Sequence, residues 1–168
     1  PWSTKGLQGC YRFLQKVWRL ITENKDNIES DIASEETLRL LHQSIKKVTE
    51  DLDGLRFNTS VSQLMILVNH LLKLQKLDKN VIETFLTLLN PFAPHISEEL
   101  YNLLGNEDTI VDLDWPIWDR SLVNSEVVTL VIQFNGKRRG EIEIDKDLSK
   151  IDVITLVQNE KSFEKYFL

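Results

Sequence analysis

A single cysteine, Cys10, leaves this 168-residue sequence without an internal disulfide or a cysteine-based zinc site. That scarcity favours a reducing compartment over secretion, and the cytoplasm is the expected location. No apolar run approaches the roughly 18 residues that a bilayer span requires, so no membrane partner is expected. Nothing at the start has the form of a signal segment. The only methionine is Met65, in mid-chain, and the first residue is Pro1, so the sequence is expected to belong to a longer polypeptide. Apolar residues are not scarce. At 42% hydrophobic the chain can bury one ordinary core, or one plus a small appendage, which excludes disorder.

The period of the apolar residues is helical over the first two thirds. Leu7, Cys10, Leu14, Val17, Trp18 and Ile21 predict one buried stripe on a helix from Lys5 to about Glu23. Thr22 to Ala33 reads as polar connector. A cap at Ser34 opens a second helix through Leu38, Leu41, Ile45, Val48 and Leu52, closed by Gly54. Asn58, Thr59 or Ser60 caps a third, and a fourth starts near Asn80. Pro91 and Pro94 end that run and launch a fifth over His95–Leu104, closed by Gly105. The expected fold is mainly α: an antiparallel helical bundle over residues 1–112. Residues 113–126 read as a linker whose Trp115 and Trp118 pack on the bundle.

From Val127 the period becomes two, and Asn135-Gly136 signals a hairpin turn. A tight two-residue loop would oppose Leu130 to Glu141. Shifting the pairing by one opposes Leu130 to Ile142 and Val128 to Ile144, so a longer loop or a bulge is predicted. Lys150–Leu168 reads as one or two short helices using Ile151, Ile154, Leu156, Val157, Phe163, Tyr166 and Phe167. Residues 127–168 then form a small, incomplete α+β domain that begins with the hairpin, because two strands rarely suffice alone.

Acid is missing from selected stretches of a chain whose formal net charge is −6. Residues 1–20 hold Lys5, Arg12, Lys16 and Arg19 and no carboxylate. At 100° per residue these four fall within an arc of about 60°, with Gly9 beside them where a backbone could approach. Residues 54–77 hold Arg56, Lys73 and Lys76, again without acid. Lys137, Arg138 and Arg139 crown the hairpin. Residues 82–126, by contrast, carry nine acids and one basic residue, Arg120. Rows of cations without adjacent carboxylates suit a polyanion, since acids would repel phosphates and compete for the arginines. A solvated helix face is the plain alternative for any one row.

Catalytic constellations are lacking. His42, His70 and His95 do not pair at metal-ligand spacing, and His95 with Glu98 or Glu99 gives only half a site, so no metal is predicted. Gly136-Lys137 has neither the preceding glycine nor the following Ser or Thr of a phosphate loop. No nucleophile elbow occurs, and the acids show no isolated acid/base pair. The chain by itself is expected to hold no catalytic residues and no cofactor. Among the aromatics, Phe57, beside Arg56 and Asn58, is the least firmly assigned to the core.

Three segments carry a resemblance: Arg12-Phe13-Leu14-Gln15-Lys16-Val17-Trp18-Arg19-Leu20, Phe57-Asn58-Thr59-Ser60-Val61-Ser62-Gln63-Leu64-Met65, and Pro91-Phe92-Ala93-Pro94-His95-Ile96-Ser97-Glu98-Glu99-Leu100-Tyr101. In that order, followed by Trp115-Pro116 and by Val131-Ile132-Gln133-Phe134-Asn135-Gly136-Lys137-Arg138, they resemble the C-terminal part of the bacterial-type leucyl-tRNA synthetases of class Ia. The proline-rich segment is shared with isoleucyl, valyl and methionyl relatives. Tyr101 departs from the commoner tryptophan of the family, and the family continues into closing strands beyond Tyr166-Phe167.

The resemblance implies a helical anticodon-binding-type domain and the start of the small C-terminal domain, with catalytic and editing domains upstream. It further implies tRNA(Leu) as partner rather than DNA, and a parent ligase using ATP with Mg. The residues expected to meet tRNA are Lys5, Gly9, Arg12, Lys16, Arg19, Arg56, Asn58, Lys137, Arg138 and Arg139. A helical protein-interaction module, or the equivalent region of another class Ia synthetase, remains the alternative.

Overall fold

The computed structural model describes residues 4–123, 127–145, 150–160 and 162–163, with side chains left out at 4, 5, 127, 143 and 145. In chain order the elements are α1 (Thr4–Thr22), β1 (Ile28–Glu29), α2 (Glu35–Asp53), α3 (Phe57–Leu71), β2 (Leu77–Asp78), α4 (Lys79–Leu89), α5 (Pro94–Leu103), α6 (Arg120–Val123), β3 (Val127–Phe134), β4 (Lys137–Asp145) and α7 (Lys150–Asn159). Single 3-10 turns occur at Lys25–Asn27 and Ile110–Asp112. The chain divides into two compact units, Pro1–Asp119 and Arg120–Leu168.

The first unit is the helical bundle. Its core gathers Val17, Leu20 and Ile21 of α1, Ile45 and Val48 of α2, Leu64, Leu67 and Val68 of α3, Ile82, Phe85 and Leu86 of α4, and Leu100 of α5. Each fully buried Leu, Ile or Phe stabilises the fold by about 1.5–3 kcal/mol relative to exposure. Ser34 caps α2 by accepting from the Thr37 amide, and Gly54 ends it, as the spacing predicts. Pro94 starts α5, where a missing N–H costs nothing, and Gly105 leaves it at φ 89°.

Three expectations for the bundle need correction. The stripe on α1 is only half right: Val17 and Ile21 are buried with Phe13 and Leu20, but Leu7, Cys10 and Trp18 are exposed. Both Phe13–Val17–Leu20 and Leu7–Tyr11–Trp18 have helical spacing, with Leu14 half-buried against the core, and spacing alone does not say which stripe meets the bundle. The start of α3 is not capped by Asn58, Thr59 or Ser60. The N-cap is Arg56, with no side-chain cap, because Leu55 turns left-handed at φ 53° and lets the Arg56 amide donate to the Asp51 carbonyl at 2.7 Å. The connector between α1 and α2 is not featureless either: β1 pairs parallel with β2, Ile28 facing Leu77 and Glu29 facing Asp78.

Asp78 locks that clip. One carboxylate oxygen accepts from the Ile32 and Ala33 amides at 2.8 and 3.1 Å, and the other caps α4 at Val81. The clip therefore gathers the end of α1, the start of α2, the end of α3 and the start of α4 at one end of the bundle. The opposite end carries the α2–α3 corner and the α4–α5 corner, which meet edge to face through Phe57 and Phe92 at 6.2 Å. Residues 113–119 stay with the bundle. Trp115 and Trp118 pack on its core, and the Trp115 indole donates to Thr49 at 2.8 Å.

In the second unit, β3 and β4 form the hairpin, turning at Asn135 and Gly136 with φ 52° and 73°. Leu130 faces Ile142 and Val128 faces Ile144, and the register shifts by a bulge after Ile132, so that Ile132 faces Gly140 while Gln133 faces Arg138. A Cβ on Gly140 would stand 2.7 Å from the Phe163 ring, so only glycine admits that aromatic. The expected use of the α7 side chains is corrected in part: Val157 and Phe163 are buried, whereas Ile151, Ile154 and Leu156 are exposed. Tyr166 and Phe167 lie outside the described residues.

Candidate nucleic-acid interface

The basic row on α1 is built by the same geometry that builds its core stripe. With Val17 and Leu20 facing the bundle, residues 12, 16 and 19 turn about 70–130° away, and all three are exposed. Arg12 donates from Nε to the Gln8 carbonyl at 3.2 Å. That contact holds the stem along the helix and leaves the guanidinium without a carboxylate partner among the described residues. Lys16 donates to the Asn69 side chain on α3 at 2.9 Å. The ammonium is thus parked over the α1–α3 seam by a neutral acceptor, which orients it without cancelling its charge. Along the exposed side of α3, Ser62 and Asn69, followed by Lys73 in the turn after the helix, continue an acid-free surface.

Other residues expected at the interface are placed differently. Arg19 forms a two-point pair with Glu23, 2.8 Å at its shortest. The hydrogen bond and charge of Glu23 raise the Arg19 pKa further above its ordinary value. Arg56 donates from Nε to the buried Asp51 carboxylate at 2.8 Å and from Nη2 to the Glu50 carbonyl at 2.8 Å. Its guanidinium folds over Gly54, where a Cβ would stand 2.0 Å from Nη1. Asn58 is exposed on the first turn of α3, and its carbonyl accepts from Ser62. Gly9 is open: a Cβ there would meet nothing within 4 Å. The side chain of Lys5 lies outside the described residues.

Asp51 organises the α2–α3 corner. Burial by itself pushes its carboxyl up, but hydrogen bonds from Thr59, Lys47 and Arg56, with the Lys47 charge, prevail and lower its pKa to about 2. Two cations around one buried anion leave this cluster a net positive charge. On the hairpin, Lys137, Arg138 and Arg139 are exposed, and Arg138 is paired with Glu141.

The acids collect elsewhere in the bundle. A groove of about 900 Å³ is lined by His95, Glu98, Glu99, Glu107, Asp108 and Asp112, among others. Glu98 is committed to structure, accepting from Thr109 at 2.8 Å and from the Ile110 amide at 3.2 Å. Burial, and then the charges of Glu83, Asp108 and Glu98, push the Tyr101 phenol up. Two histidines have structural partners: His42 Nδ1 accepts from the Asp119 amide and His70 Nε2 meets Thr37 Oγ1, each at 2.9 Å. Among the described residues no group of three His, Cys, Asp or Glu could hold a metal ion, and no helix is long and apolar enough to cross a membrane.

Sequence reading misses Asn69 and the three carboxylates, Glu23, Asp51 and Glu141, that restrain expected interface arginines. Glu23 could have been found, since it stands four residues after Arg19 on one helix. The Asp51–Arg56 pair depends on the left-handed turn at Leu55, which has no signature in a non-glycine residue.

Residues 35–155 match a family described as the anticodon-binding domain of tRNA ligase. Leucine–tRNA ligases of Chlorobaculum parvum, Chlorobaculum tepidum and Chloroherpeton thalassium are 42, 43 and 44% identical to the chain over 99% of its length. That match is 21% of each relative, so the chain spans about a fifth of their length. A LeuRS of Agrobacterium radiobacter K84, solved in a ternary complex with tRNA and LeuAMS, superposes with a TM-score of 0.73 at 29% identity, over 98% of this chain and 23% of that one. With the bundle built, its basic face mapped and the match running across most of its helices, the chain belongs to the anticodon-binding domain family of tRNA ligases.

Proposed function

We propose that this chain is the tRNA-docking part of a leucine–tRNA ligase, which holds tRNA(Leu) by its phosphates while the rest of the polypeptide performs ATP-dependent aminoacylation in the cytoplasm. The observation that carries this reading is the acid-free face of α1 and α3, where Arg12 and Lys16 stand exposed without carboxylate partners among the described residues. Phosphate recognition needs long cationic side chains in a row, and their contacts position a nucleic acid without reading its sequence. Arg12 and Lys16 would bind backbone phosphates, with Lys5 extending the row and Gly9 and Asn58 admitting sugar or phosphate. Arg19 and Arg56 contribute less, each sharing its charge with an acid. Lys137, Arg138 and Arg139 touch a second region of the tRNA.

ATP and Mg belong to the rest of such a ligase. The residues here do not fit them: Gly136 closes the hairpin turn and Lys137 opens β4 with no Ser or Thr after it, and the described carboxylates and histidines form no metal cluster. The leucyl relatives favour leucine over the isoleucyl, valyl and methionyl alternatives.

Fluorescence anisotropy tests the reading, with tRNA(Leu), a tRNA lacking a long variable arm, and an unrelated acidic protein, each over a salt series. Binding to both tRNAs that weakens steeply with salt is expected, because counterions are released at each phosphate contact. Equal binding to the acidic protein would move the chain to the protein-interaction class.

A further inference from the structure

Three uncharged polar side chains line the face of α3 that borders the basic row. Asn58, Ser62 and Asn69 are all exposed. At 100° per residue they fall within an arc of about 40°, on the side away from the buried Leu64, Leu67 and Leu71. Lys16 touches Asn69, so this face and the cations of α1 border one seam. Both helices run towards the β1–β2 clip, α1 leading to β1 and α3 to β2, so positions on them can be counted back together from that contact. Seven residues earlier on each, Ser62 stands level with Gly9, where a Cβ would meet nothing within 4 Å. Residues 57–69 hold no charged residue of either sign, whereas α2 carries eight, so the exposed side of α3 is polar without being ionic.

The hydrogen-bonding state of each group is defined. The side-chain oxygen of Asn69 accepts from Lys16, which leaves its amide hydrogens to donate, and they have no partner among the described residues. Ser62 donates its hydroxyl proton to the Asn58 carbonyl at 2.8 Å and keeps its oxygen lone pairs to accept. The Asn58 carboxamide has no partner among the described residues and offers both a donor and an acceptor. These groups can do what the cations cannot. A lysine or arginine takes the phosphates of DNA and RNA alike, because both backbones carry the same charge. A ribose 2′-hydroxyl is at once donor and acceptor, and it is what distinguishes RNA from DNA at a given site. Reading it calls for neutral partners of both kinds beside the phosphate-binding side chains, which is the arrangement along α3.

We infer that Asn58, Ser62 and Asn69 hydrogen-bond ribose 2′-hydroxyls, so that α3 selects RNA over DNA while Arg12 and Lys16 supply the affinity common to both. The inference rests on the proposed tRNA-docking function and adds to it the group on the sugar that is read. The two helices then divide the work: α1 neutralises phosphates, and α3 checks the sugar between them.

Anisotropy with three forms of one nucleic acid decides the matter: a tRNA(Leu) transcript, the DNA of the same sequence, and the transcript made with 2′-fluoro sugars. The 2′-fluoro form keeps the RNA helix shape and every phosphate but has no hydroxyl. The chain should bind the ribose form about tenfold more tightly than either of the others at equal salt. Asn58→Ala with Ser62→Ala should weaken binding to the ribose form about tenfold and leave the other two unchanged. The salt slope should not move, since no charge is removed. Both side chains are exposed, so the melting temperature of the double variant should match that of the chain and excludes simple misfolding. Equal affinity for the ribose and 2′-fluoro forms would overturn the inference, because shape and charge alone would then account for binding. So would a double variant that loses affinity for all three forms equally, or for none. In each of those cases steep salt dependence would leave tRNA docking standing. Absence of salt-dependent binding to any of the three would overturn the docking role and the inference together.

Discussion

The exposed sides of α1 and α3 and the groove beside α5 belong to one bundle and carry opposite charge. On the first, Lys16 is oriented by the amide of Asn69; on the second, Glu98 is consumed by Thr109 and Ile110, while Glu99, Glu107 and Asp108 remain along the groove. The net charge of −6 therefore says nothing about what the molecule can bind. At physiological salt the Debye length is about 8 Å, so a phosphate on the basic face is screened from acids more than that distance away. What decides polyanion binding is whether each cation has an acid within reach. By that criterion Arg12 and Lys16 differ from Arg19 and Arg56.

The contrast can be broken most severely by reversing it. Arg12→Glu with Lys16→Glu places two acids where two cations stood, and tRNA affinity measured by anisotropy at low salt should fall by about a hundredfold or more. Next in size is Asp51→Ala, which strands Lys47, Arg56 and Thr59 at the α2–α3 corner. Loss of charge-assisted hydrogen bonds should cost about 2 kcal/mol of stability in denaturant unfolding. The same carboxylate gives a pH signature. Its folded pKa lies below its ordinary value of 3.8, so its stabilisation is present above about pH 4 and is lost as pH falls towards 2. The Asp51→Ala chain should lack that component of acid unfolding.

Smaller effects sharpen the comparison. Arg12→Ala should weaken tRNA binding about five- to tenfold, uniformly across tRNAs, with the melting temperature unchanged. Glu23→Gln should strengthen binding about twofold by releasing Arg19, whereas equal weakening would show that Glu23 positions that arginine for its ligand. Glu99→Gln, on the opposite charge region, should leave affinity at physiological salt unchanged. A gain there as large as that of Glu23→Gln would erase the distinction between the two regions.

Much of this fold is legible in the sequence because local signals agree. Ser34 and Gly54 bracket α2, Pro94 and Gly105 bracket α5, and the apolar pairing of β3 with β4 calls for the bulge that is present. What escaped depends on contacts distant in the chain. The β1–β2 clip joins residues almost fifty apart through two-residue strands too short to show a period. The exposed stripe of α1 is as regular as the buried one, and only the position of the bundle separates them. Of the candidate interface, the basic row is legible as an absence of acid. The state of each cation is not, since Asn69 and Asp51 act from other elements or across an unusual turn.

The most direct test of the basic face is the salt dependence of tRNA affinity for the chain and for Arg12→Ala with Lys16→Ala. If both residues contact phosphates, the slope of log affinity against log salt should flatten by about two units in the double variant. Parallel lines, displaced or not, would mean that the two cations touch no phosphate and that the face on α1 and α3 is not where the tRNA sits.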